Sequence, residues 1–294
     1  MKQFAAELVL DAKAELGEGP VWNERRQALW FVDITGRAIH EWSPVQGTVR
    51  SRSTPEPVGC VAPSRSGRII AALASGIWAI GEADGALELL QRPPTHDPSR
   101  CRFNDGKCDP RGRFLAGTMS LTGEAEAGAL YGFEAGRPPR VVMPLVTASN
   151  GLAWSLDGTE LHYIDSRTRR VDTFFYDLES GVISNRRPTI DFTPTGHIPD
   201  GCTLDAEGML WVAHWRGGCV TRWEPSTGRC LATVSVPAPH VSSCTFGGPG
   251  LETLFITTAR AGLTPEQLTS YPASGGVFAC RPGVPGLAAQ LFND

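Results

Sequence analysis

Six short β-type runs recur along the chain: "LWFVDI" from Leu29, "IIAALA" from Ile69, "FLAGTM" from Phe114, "LHYIDS" from Leu161, "LWVAHW" from Leu210 and "LFITTA" from Leu254. Their starts lie 40, 45, 47, 49 and 44 residues apart, the period of an array built from one repeated supersecondary unit. Each run follows a turn cluster such as Asp157-Gly158 or Glu207-Gly208, and another apolar segment ("PVWN", "GLAWS", "GCTL") stands ahead of that turn. Downstream comes a third strand that ends in turn residues, as in "IHEWSPVQG", "IWAIGEADG" and "VTRWEPSTG". A fourth, such as "TVRSRS", "ALELLQ" or "RCLATVSV", follows in the first five units. The pattern predicts an all-β chain with one domain over 1–294, a six-bladed β-propeller with four antiparallel strands per blade. The last unit lacks its fourth strand, and the N-terminal "AELVLDAK" is expected to supply it and close the ring. A β-sandwich would not demand equal spacing of six like units. "TPEQLTS" near Thr264 is the one short helical turn expected.

In a propeller the first strand of each blade is innermost, and all first strands run the same way along the axis. Residues just before those strands should therefore gather around one mouth of the central channel. In order, the six positions carry Glu18 in "LGEGPVW", "PVGCVA", Asn104 in "RFNDGKC", Asn150 in "SNGLAW", Asp200 in "PDGCTL" and "VSSCTF". Four of six blades thus offer a carboxylate or amide oxygen closely followed by glycine, and two of the chain's five asparagines stand here. Asp-Gly and Asn-Gly pairs ordinarily mark turns. Here they precede the innermost strand instead of joining two strands, and they recur at one structural position. Converging oxygen donors without histidine or cysteine describe a site for a hard cation, with Asp200 as a ligand.

Composition narrows the partners. Net charge is −4 and no basic cluster occurs, so neither nucleic acid nor an anionic membrane is expected to bind. No obligatory protein partner is evident. The longest apolar stretches are far shorter than a membrane span, and the N-terminus does not read as a secretory signal. Eight cysteines never form C-x-x-C, which argues against a zinc site or redox pair of that kind. No Asn-x-Ser/Thr acceptor occurs. A cytoplasmic protein with reduced thiols is the expectation. G-x-S-x-G, H-E-x-x-H and the phosphate-binding loop are all absent from the sequence, leaving serine-hydrolase and zincin chemistry without support.

Ordered motifs along nearly the whole chain resemble the senescence-marker-protein, gluconolactonase and luciferin-regenerating-enzyme-like family, the regucalcin-like sugar lactonases. They are "LGEGPVW" from Leu16, "RFNDGKCDPRGRFLAGTM" from Arg102, "SNGLAWSLDG" from Ser149, "PDGCTLDAEGMLWVAHW" from Pro199, "FGGPGLETLFITTAR" and "YPASGGVFA". The resemblance implies a six-bladed propeller with one divalent metal at the channel mouth, held by Glu18, Asn150 and Asp200. Calcium is the foremost candidate, and zinc, manganese, magnesium and iron(II) are compatible with the same ligands. It also implies substrate contacts from Arg102 and Asn104, and a general-base role for Asp200. Many members carry a substrate-touching glutamate soon after "AGTM"; this chain has Thr122 near that position, with Glu124 and Glu126 slightly later. Sugar preference therefore does not carry over, unless a shifted glutamate substitutes.

The expected activity is metal-dependent opening of a small sugar lactone, such as gluconolactone or a pentonolactone. Two other readings fit the same fold: a non-catalytic metal-binding or interaction propeller, and a propeller esterase with another ester substrate. Trp215 and His240 could reach the mouth, with buried packing the expected role of the tryptophan. Arg260 and the loop after it could form part of the rim.

Overall fold

The computed structural model of the chain describes residues 1–81 and 85–294. The turn expected in "GEADG" falls largely on 82–84, outside the described residues. Six sheets surround a central axis, and the first four are simple antiparallel meanders. The first runs Gly17–Asn23, Ala28–Asp33, Ala38–Ser43 and Thr48–Ser53. The innermost strands of the other five are Val58–Pro63, Cys101–Cys108, Ser149–Trp154, Ile198–Leu204 and Val241–Gly247.

The repeated apolar runs form second strands buried on both faces. Side chains alternate across a strand, so each second strand feeds two neighbouring cores. Leu210 and Val212 pack with Ile164 and Val171 of the fourth blade. Trp211 and Ala213 pack with Phe246 and Ile256 of the sixth. Likewise Trp30 and Val32 join Val58 and Ile69 of the second blade, while Leu29 and Phe31 meet Phe255 of the sixth. Clusters around Phe103, Phe114 and Tyr131, and around Leu152, Trp154 and Tyr163, fill the other gaps. Six interblade cores thus close the circle. Each fully buried large side chain contributes roughly 1.5–3 kcal/mol. A strand buried on both faces needs a continuous apolar run instead of alternation, as the sequence has.

The N-terminus closes the ring as expected. Glu7–Leu10 pairs antiparallel with Val277–Cys280, placing Leu8 opposite Phe278. A second contact was not foreseen: Lys2–Ala5 runs parallel to Arg229–Ser235, with Phe4 opposite Val234. The fifth blade therefore has five strands, and the N-terminus bridges two blades. The expected helical turn is Pro265–Ser270, opened by a capping box in which Thr264 and Gln267 satisfy each other's backbone N–H. No helix among the described residues is long and apolar enough to cross a membrane.

Candidate metal and substrate site

The oxygen donors expected just before the innermost strands lie inside them, which corrects the sequence reading. Each of the six strands carries a register irregularity near its start: between Glu18 and Val21, Val58 and Cys60, Phe103 and Gly106, Ser149 and Leu152, Pro199 and Cys202, and Val241 and Ser243. A bulge leaves residues unpaired and re-aims their side chains. Gly106, Gly151 and Gly201 serve close strand approach, while Gly19 stands at φ +51°, a conformation that side-chain-bearing residues rarely adopt. A Cβ on Gly151 would lie 2.8 Å from the Cys202 nitrogen, and one on Gly106 would lie 2.7 Å from the Leu115 oxygen. Asp200-Gly201 is thus a bulged crossing at the axis, whereas Asp205 to Gly208 is the hairpin turn expected, with the Gly208 N–H donating to the Asp205 oxygen at 2.9 Å.

Two aspartates at the ends of second strands set the height of this layer. Asp33 accepts from the backbone N–H groups of Glu15 and Leu16 at 2.8 and 3.0 Å. Asp165 does the same for Thr147 and Ala148 at 2.9 and 3.0 Å. Both pin the chain just before a donor residue.

Glu18, Arg102, Asn104, Asn150 and Asp200 all line one cavity of about 460 Å³. Glu18, Asn104, Asn150 and Asp200 each keep no more than 6% of their surface exposed. Arg102 Nη1 donates to Asn104 Oδ1 at 2.6 Å. Asn104 Nδ2 donates to the Ser149 carbonyl at 2.8 Å and to Asn150 Oδ1 at 3.2 Å. Ser166 gives its single proton to the Pro199 carbonyl at 2.6 Å, so it must accept from Asn150 Nδ2 at 2.8 Å. This fixes the Asn150 amide with its oxygen toward Asn104. Asn104 spends its amide on this network, so it acts through Asn150 and Arg102.

Burial and mutual repulsion disturb the acids. Burial, then the charge of Asp105, pushes Glu18 up to about 8, against the Gly19 N–H and Arg102. Asp200 is driven well above the carboxylate range by burial, Glu18 and Asp105, with Arg102 opposing. Asp105 is raised by burial, opposed by Lys107 and the Gly106 N–H. Several carboxylates crowded out of water with amide oxygens beside them form a donor set suited to a hard divalent cation, which would offset their repulsion.

Asp105 was missed in the sequence, although "NDG" repeats the acid–glycine signal of "PDG". It lies deeper along the inner strands, on a second cavity of about 350 Å³. The first cavity also takes Met119, Trp215, Arg167, Arg169 and Arg216. Trp215 therefore reaches the mouth instead of only packing, and it stacks on His240 with ring centroids 4.2 Å apart. Neither Glu124 nor Glu126 lines the cavity; Glu124 pairs with Arg100 at 2.8 Å in an exposed ion pair. Arg260 is tied at the backbone, its N–H donating to the Glu15 oxygen at 3.0 Å.

Comparison with known proteins agrees with this architecture. Residues 16–260 match the model of the SMP-30/Gluconolactonase/LRE-like region. Regucalcin of Xenopus laevis is 39% identical over 298 residues, covering 99% of each chain. The structure of a calcium-binding protein, regucalcin from Agrobacterium tumefaciens, superimposes with a TM-score of 0.94 at 27% identity, covering 100% of this chain and 99% of that one. A luciferin-regenerating enzyme structure gives a TM-score of 0.92 at 31% identity over 99% of both chains. The chain belongs to the SMP-30/gluconolactonase/LRE-like family.

Proposed function

We propose that this protein is a metal-dependent hydrolase that opens a small sugar lactone, with a divalent ion held by Glu18, Asn150 and Asp200. The observation that carries this reading is that these three residues border the same buried cavity as Arg102. Family membership and similarity to a calcium-binding relative support it, with calcium as the first ion to test. When bound, the ion supplies Lewis-acid stabilisation of charge developing at an ester carbonyl, worth several kcal/mol.

The chain's own residues do the rest. Asp200 takes the proton of the attacking water and returns it to the ring oxygen as the C–O bond breaks. Without an ion, burial beside Glu18 and Asp105 favours the protonated form of Asp200; a bound cation would hold it ionised, as accepting that proton requires. Arg102, steadied through Nη1 by Asn104, offers its remaining N–H groups to sugar hydroxyls. Trp215 and Met119 give apolar cover on the wall. Arg167, Arg169 and Arg216 bring positive charge to the rim, suited to the carboxylate that ring opening creates.

Proton release from freshly dissolved gluconolactone and pentonolactones, corrected for spontaneous opening, tests the proposal. A rate above background that disappears on chelation and returns with a divalent ion is expected. Rates equal to background across a lactone panel, with or without metal, would leave a non-catalytic propeller as the better reading.

A further inference from the structure

We propose that His197, His214 and Cys219 form a second metal site, separate from the oxygen-lined cavity, which takes a zinc-type cation through two imidazole nitrogens and one sulfur. One ring nitrogen of each histidine and the Cys219 sulfur lie within 4.8 Å of one another. Tetrahedral coordination needs such atoms roughly 3.3–3.8 Å apart, so binding would draw the three side chains together, of which His197 is the half-buried one. The two imidazole rings already stand with centroids 4.8 Å apart.

The second observation is an unsatisfied atom. His214 is fully buried, and its Nδ1 has no hydrogen-bond partner. A buried polar atom without a partner is costly to keep and calls for one. Its other nitrogen is engaged: Nε2 lies 2.5 Å from Thr221 Oγ1, which also accepts from Trp223 Nε1 at 2.6 Å. A cation on Nδ1 would select the tautomer in which Nε2–H donates to Thr221, the arrangement in which a metal-bound histidine is oriented by its second nitrogen. Burial and the neighbouring His197 hold His214 down to about 3, so its ring is neutral.

The scaffold is rigid where it needs to be. His214 and Cys219 are directly paired across the hairpin of Leu210–Trp215 and Cys219–Glu224. A Cβ on Gly217 would lie 2.6 Å from that of His214, so the hairpin closes tightly. Its connection carries Arg216, which with Trp215 lines the oxygen-lined cavity. A cation on His197, His214 and Cys219 therefore ties the segment entering the innermost strand to the hairpin that shapes the cavity rim. One imidazole pair, one thiolate and a solvent molecule suit zinc-type ions over calcium or magnesium. Burial keeps the Cys219 thiol protonated, up to about 11, so binding through sulfur releases that proton to solvent.

Cobalt(II) added to the chelated full-length protein tests this. An all-oxygen site cannot give a sulfur-to-cobalt charge-transfer band in the near ultraviolet; this one must. We expect one equivalent of that band in the wild type and in Glu18→Gln, its loss in Cys219→Ser, and its retention in Cys230→Ser. In the Glu18→Gln background, zinc affinity measured by competition with a chelator should fall at least tenfold on adding His197→Ala, whose partly exposed side chain can be removed with the fold intact. A folded wild type without the band, a band that survives Cys219→Ser, or zinc affinity unchanged on adding His197→Ala would overturn the proposal.

Discussion

The amide of Asn104 donates to Asn150 Oδ1 at 3.2 Å, joining the innermost strands of the third and fourth blades. Arg102 holds the other end of the Asn104 amide at 2.6 Å, so one side chain sets both a proposed metal ligand and a proposed substrate contact. Asn104→Ala should lower divalent-ion affinity by about 10–100-fold, the usual effect of removing a residue that orients a ligand, and should raise the KM for lactones. Calorimetric titration of the chelated variant checks the first effect and steady-state proton release the second. Far-ultraviolet circular dichroism should be unchanged.

The buried acids make the metal-free protein sensitive to pH. Glu18 titrates at about 8 in the fold against an ordinary value of 4.5, so the fold binds more protons than the unfolded chain between those limits. Its stabilising contribution is complete below about pH 4.5 and lost as pH rises through 8. Asp200 and Asp105 shift in the same direction. The melting temperature of chelated protein should therefore fall as pH rises from 5 to 8 by these groups' contribution. The increment in melting temperature from saturating calcium should grow over the same range, because a cation competes with the protons. Differential scanning fluorimetry across pH, with Glu18→Gln as the control that flattens the slope, measures both.

Gly151 stands where two innermost strands touch. Its added Cβ would meet the Cys202 nitrogen at 2.8 Å and the Asp200 carbonyl at 2.9 Å. Both are backbone atoms that cannot swing aside. Gly151→Ala should cost ~1–3 kcal/mol from overpacking and spread Asn150 from Asp200. Urea denaturation should show the lost stability, and calcium affinity should drop with it.

The N-terminal strands hold the ring shut. Removing residues 1–10 strips Glu7–Leu10 from the sixth blade and Lys2–Ala5 from the fifth. It leaves the Val277–Cys280 strand with an open edge, a template for pairing with other chains. The shortened protein should melt at lower temperature and form aggregates on heating, which light scattering detects.

Much of the fold was legible because a propeller repeats its signals. Both-face burial forces an apolar run in every second strand, and the turns between strands need glycine or aspartate, so six copies reinforce one another. The parallel strand Lys2–Ala5 has no copy elsewhere, and its exposed side chains give no apolar pattern. The site was legible where acid–glycine pairs recur, but its register was not. The bulges that bring Glu18 and Asp200 into the inner strands leave no mark distinct from a turn, and Asp105 was passed over beside Asn104. Trp215 was misjudged because a tryptophan at a strand end reads alike whether it packs or lines a cavity. His197, His214 and Cys219 carry no metal-binding spacing, since a loop and a hairpin bring them together only in three dimensions.

Anomalous diffraction from crystals soaked in manganese, a hard cation with a usable signal, tests most directly whether the distant donors meet at one ion. A single strong peak within coordination distance of Glu18, Asn150 and Asp200 is expected, absent from crystals of Asp200→Asn. Density for those three side chains with no peak between them, at a manganese concentration that saturates exposed carboxylates, would contradict the proposed site.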